Sequence, residues 1–267
     1  MRYPDPPFLE IGLYFADRDG RRALLDLFQY FESHGGSLEG RVQIHREANR
    51  PSAESWILGD PTTEVTVRDR EQLLQLFADP NVRVVQVYMC NATRVVPDAL
   101  EIATQLSISP EASRRGDNHP VAIWMEGEAF SRPPGFPIEP ARTIGLRAFA
   151  TFTNIVQSLK PSYGVLQVDG SLECLSDLRE NVPSHPFETF YVSNEFGASD
   201  VADATRAFVP DAFCEVTSHG VIVDTVDASK LFPAHELMES DDSKEHLSSS
   251  VVNILLQHGH SRGSEQA

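Results

Sequence analysis

Residues 259–263 read Gly-His-Ser-Arg-Gly, the G-x-S-x-G pattern that in α/β hydrolases holds a nucleophilic serine on a strained turn between a strand and a helix. The neighbouring sequence does not prepare that turn. "LSSSVVNILLQHG" ahead of Ser261 has helical spacing, and the "SEQA" beyond Gly263 offers no later Asp and His in the order such hydrolases require. Ser261 is therefore expected to be chemically idle. Gly259 is expected to close the helix before it, and "HSRGSEQA" to form a disordered tail.

Metal ligation is the next chemistry to weigh. His235, Glu236, Glu239, Asp241, Asp242, Glu245 and His246 form the densest run of possible ligands, but they follow neither H-E-x-x-H nor the D-x-D-x-D-G calcium loop. Carboxylates near a helix start are favoured by the helix dipole, so the run reads as a solvated acidic face with Asp242 as cap and Glu245 three positions on. Cys90, Cys174 and Cys214 are widely spaced and show no zinc or disulfide pattern. Glycine-rich phosphate cradles and S-x-x-K pairings do not occur, and the one H-x-S element, His246 to Ser248, falls on a predicted helix. No catalytic residue, cofactor or metal is assigned on these grounds. An alternative stays open, a hydrolase or transferase whose site gathers His119, His185 or His219 with a carboxylate.

Charge supplies the firmest constraint. The chain of 267 residues carries 22 Lys+Arg and 39 Asp+Glu, a formal net charge of −17. Such a field repels nucleic acid and anionic lipid and attracts basic proteins. No apolar run reaches membrane-spanning length, and "MRYPDPPFLEIGLYF" has no basic start leading into an apolar leader. A cytoplasmic location is expected.

These residues must be positioned by an α/β (α+β) framework. Leu24, Leu27, Phe28 and Phe31 repeat at helical spacing after the strand "FLEIGLYF", and Gly35 is placed to stop that helix. "RVQIHR" and "EVTV" alternate as strands, Asp69 and Gln72 form a capping box, and "VRVVQVYMC" is a β-branched run. The order β-α-β-β-α-β is that of a ferredoxin-like unit. "PDALEIATQL" is an amphipathic helix candidate. A second series follows: strand 121–127, a long helix burying Phe149, Phe152, Ile155, Val156 and Leu159, strands 163–169 and 187–193, a helix from 198, and strands around His219-Gly220. The spacing predicts units at 1–118 and 119–258 with a tail at 259–267, arranged as two ferredoxin-like units or as one continuous mixed sheet flanked by helices.

Between residues 148 and 230, "LKPSYGVLQVDG", "FETFYVSNEFGASDV" and "EVTSHGVIVDT" resemble the immunity proteins that bacteria encode beside polymorphic secreted toxins. Tyr163, Gly164, Tyr191, Val192 and Ser193 carry the likeness, and Trp56 and Trp124 both lie outside the stretch. The resemblance implies a non-catalytic inhibitor that binds a cognate toxin. An acidic chain would be steered to a basic toxin. By charge density, the expected contact residues are Asp224, Asp227, Glu236, Glu239, Asp241, Asp242 and Glu245.

Overall fold

The computed structural model describes residues 9–46, 63–79, 82–90, 99–105, 118, 120–125, 139–168, 172–180, 187–226 and 242–263. In chain order the elements are β1 (Leu9–Tyr14), α1 (Gly20–Ser33), β2 (Ser37–Arg46), β3 (Thr63–Thr66), α2 (Arg70–Ala78), β4 (Val82–Cys90), β5 (Ala99–Gln105) and β6 (Val121–Met125). They continue with α3 (Glu139–Leu159), β7 (Tyr163–Val168), α4 (Leu175–Glu180), β8 (Thr189–Ser193), a 3-10 turn (Asn194–Phe196), α5 (Ala198–Phe208), β9 (Phe213–Val216), β10 (Gly220–Asp224) and α6 (Asp242–Gly263).

The local signals act as their chemistry dictates. Asp19 Oδ1 accepts from the Arg22 amide at 2.8 Å to start α1, and Gly35 with φ 93° follows its end. Asp69 Oδ1 accepts from the Gln72 amide at 3.0 Å, while Gln72 Oε1 reaches back to the Arg68 amide at 2.9 Å, one residue before the usual capping-box donor.

All ten described strands join one sheet in the order β3-β2-β4-β5-β6-β1-β7-β8-β10-β9, and every pairing is antiparallel. Of the two arrangements the sequence allowed, the continuous sheet is the one adopted, and it is not mixed. A ferredoxin-like unit would set β1 beside β3; here β1 pairs with β6 and β7 instead. The sheet thus runs unbroken across the expected boundary after residue 118, and β1 is the strand that joins its two halves.

The segment expected as an amphipathic helix from 97 is strand β5, with Ile102 in register with Val87 and Ile123. Leu100 and Ile102 are two apart as on a strand, Ile102 and Leu106 four apart as on a helix, and two waiting strand edges decide the matter.

Two cores lie on opposite faces. One holds Leu9, Ile11 and Leu13 of β1 under α1, α2 and α3; the other holds Tyr14, Tyr163 and Val165 under α4, α5 and α6. Alternation along β8 and β10 shows the division. Tyr191 and Ile222 face the first core, whereas Phe190, Val192, Val221 and Val223 face the second. Strands covered on both sides have no polar face to show, hence the apolar runs of β1, β8 and β10, buried along their whole length.

The helix over the second core continues past Gly259 to Gly263. Gly259 is not its terminator. A Cβ there would come within 2.9 Å of Leu175 Cδ1, so this glycine lets α6 pass close to α4. Residues 259–263, expected within a disordered tail, are helical, and Ser261 is on a helix and not on a strand-to-helix turn.

Candidate binding surface

Most large apolar side chains that remain exposed collect at one end of the sheet. Phe213 (48% exposed) and Val216 (62%) stand on β9, the terminal strand; Phe208 ends α5, and Leu146 lies on α3 one turn before Phe149. Phe149 meets the Phe213 ring edge-on at 5.8 Å between centroids, and α5 packs against β9. Leu74 on α2 is the remaining large exposed apolar residue among those described.

The start of α6 adjoins this patch. The His246 ring lies 6.0 Å from that of Phe208, and Asp242, four residues earlier, is on the same side of the helix. Asp242 and Glu245 are both exposed in the first turn, and the helix begins at Asp242 itself, one residue earlier than a cap at that position would give. Two of the acidic residues expected to bind are thus placed beside the apolar edge. The hairpin from 211 to 226 adds exposed Asp211 and Glu215 and contains no Lys or Arg. The neighbouring cation, Arg206 on α5, is paired with Asp203 at 2.8 Å.

Asp224 does not belong to this surface, contrary to expectation. It is buried at the end of β10, where Oδ1 accepts from Thr189 Oγ1 at 3.0 Å and from the Val226 amide at 3.3 Å. Strand alternation turns it beneath the sheet with Thr189, its register partner on β8. Asp227, Glu236, Glu239 and Asp241 lie outside the described residues, as do His119 and His185. His219 is exposed in the turn between β9 and β10; its carbonyl accepts from Tyr191 Oη and from the Asn194 amide.

The residues that carry the family resemblance are interior. Tyr163 is fully buried, stacks on Tyr14 at 4.6 Å and donates its hydroxyl proton to the Glu173 carbonyl at 2.7 Å. Gly164 presses against the Gly12 carbonyl, and burial pushes the Tyr191 hydroxyl up to about 12. The Cys174 thiol, also buried, donates to Asp177 Oδ2 at 2.9 Å, and burial raises the Cys214 thiol despite nearby Arg206. Neither is poised as a nucleophile.

One perturbed acid escaped the sequence reading. Glu10 on β1 is 3% exposed and is pushed up to about 7, chiefly by burial, while hydrogen bonds from Trp124, the Leu172 amide and Gln167 pull the other way. Its Oε2 accepts from Trp124 Nε1 at 2.8 Å, and its Oε1 from the Leu172 amide at 3.1 Å. The available signal was a lone carboxylate inside "FLEIGLYF", a run otherwise fit for burial on both faces. Among the described residues no three His, Cys, Asp or Glu side chains converge as a metal site, and no helix is long and apolar enough to cross a membrane.

No protein-family model and no curated protein matches this chain. Among solved structures, the Pseudomonas aeruginosa T6SS protein PA0821 is similar over 97% of this chain and 74% of its own, at 15% identity and a TM-score of 0.39. At that distance neither fold nor role carries across.

Proposed function

We propose that this chain is a non-catalytic acidic binding protein, an immunity protein that neutralises a basic toxin by docking on it. The observation that carries the reading is the exposure of Phe213, Val216, Asp211 and Glu215 on and beside the terminal strand β9, with exposed Phe208 at the end of α5 near His246 and the exposed Asp242 and Glu245 at the start of α6. Exposed apolar side chains amid an excess of negative charge suit protein association: desolvation of the former supplies affinity, and the latter selects a partner of opposite charge. The net charge of −17 extends that selection beyond contact range, raising the encounter rate with a cationic partner. The resemblance over 148–230 supplies the class of partner. Its motif residues are buried, Tyr163 and Val192 in the second core and Tyr191 in the first, which fits a scaffold that presents a surface and reacts with nothing.

Co-expression with the protein encoded beside this chain tests the proposal. A stable complex on purification, together with restored growth of cells poisoned by that protein, is the expected result. Neither complex nor rescue would overturn it.

A further inference from the structure

We infer that the outer edge of β9 is the docking strand, and that its occupant is an extended, Lys- or Arg-bearing segment of the partner protein, added as a further antiparallel strand. This rests on the binding reading above and names the contact that reading leaves open.

Hydrogen bonding along the hairpin fixes which groups point outward. The Thr217 amide donates to the Gly220 carbonyl at 2.8 Å, so 217 and 220 form a hydrogen-bonded pair. With Glu215 opposite Ile222 and Phe213 opposite Asp224, alternation gives these two residues inward bonds to β10. The amides of Asn194 and Thr225 bond to the carbonyls of His219 and Glu188, which gives the odd-numbered residues of β10 to β8 in the same alternation. The N–H and C=O groups of Cys214 and Val216 therefore face away from the sheet, and no described strand pairs with them.

Edge strands are ordinarily protected by polar side chains, proline or bulges. The opposite edge conforms: β3 reads Thr-Glu-Val-Thr, with Val65 half-buried. β9 reads Phe-Cys-Glu-Val, with Phe213 and Val216 exposed and its register to β10 unbroken. Among the described residues it is an open template.

Charge selects the occupant. A second copy centred on this edge would pair Cys214 with Val216 and set Glu215 directly opposite Glu215, an unfavourable cross-strand pair between two chains of net charge −17. A basic residue opposite Glu215 reverses that sign, and an apolar residue two positions along would meet Phe213 on the same face. Arg206, the nearby cation, is already paired with Asp203.

Amide hydrogen exchange and titration with the purified protein encoded beside this chain form the test. On binding, exchange at Cys214 and Val216 should slow at least about tenfold. Val216→Pro removes an outward donor, and Glu215→Lys keeps the backbone and reverses the charge. Each should weaken binding about tenfold or more, while Leu74→Lys, on α2, binds as wild type. If wild type binds but these amides are unaffected and Glu215→Lys binds equally well, the edge assignment is overturned and the binding reading stands. If wild type does not bind, the binding reading fails and the edge assignment falls with it. Self-association through the same amides, abolished by Val216→Pro, would overturn the basic occupant in favour of a second copy.

Discussion

Glu10 and Trp124 occupy paired positions on β1 and β6, and the indole Nε1 donates to Glu10 Oε2 at 2.8 Å. Gln167, the register partner of Glu10 on β7, approaches the other carboxylate oxygen at 3.5 Å. A carboxyl group is thus held where the two halves of the sheet meet, flanked by the strands on either side of its own.

That arrangement makes stability depend on pH in a defined direction. The folded state raises the Glu10 pKa from 4.5 to about 7, so it binds the proton more tightly than the unfolded chain does. The Glu10 contribution is fully present below pH about 4.5 and is lost as pH rises towards and through about 7, a swing on the order of 3 kcal/mol. Urea unfolding of wild type and Glu10→Gln across this window should show the wild type losing stability relative to the variant as pH rises. Parallel curves would remove Glu10 as the source.

Thr189 and Asp224 form a second buried polar pair. Thr189→Val keeps the shape but strips a donor from a buried carboxylate, at a cost of about 1–3 kcal/mol. A fall in the urea midpoint at neutral pH with an unchanged slope is the expected result. Binding should be unaffected, because Asp224 is interior.

Gly197, with φ 88°, lies where α6 crosses the start of α5, and a Cβ there would come within 2.6 Å of Ile254 Cγ2 and 2.8 Å of the His258 ring. Gly197→Ala should combine backbone strain with displacement of α6, costing about 2–4 kcal/mol. Hydrogen exchange should show the loss first in α6. Protection unchanged there would contradict the packing.

Asp242 and Glu245 are exposed at the start of α6, near the proposed docking edge, so they are expected to act mainly on encounter. Their double change to Asn and Gln should lower the association rate at low salt severalfold, leave dissociation nearly unchanged, and lose its effect at high salt. Stopped-flow mixing measures all three.

Apart from β5, expected as a helix, most of the element order was legible because caps and periodicity act locally. Asp19, Asp69 and Gly35 mark helix ends by groups within four residues of themselves. The pairing was not, since inserting β1 between β6 and β7 joins residues more than a hundred positions apart. Gly259 misled because a glycine at a helix end and one at a helix crossing look alike until Leu175 arrives. Among the acidic residues, the exposure of Asp242 and Glu245 was legible from the helix start they occupy. Asp224 was not, because an acid at a strand end faces either water or Thr189 according to a register set elsewhere. The apolar edge went unnoticed because Phe213 and Val216 read as core until β9 proves to be the last strand.

Titration of the wild-type chain with the protein encoded beside it, at about 50 mM and about 300 mM salt, is the decisive measurement. The expected result is a one-to-one complex whose dissociation constant rises with salt and whose formation requires no turnover of either partner. Absence of binding at the lower salt, or affinity indifferent both to salt and to Glu215→Lys, would contradict it.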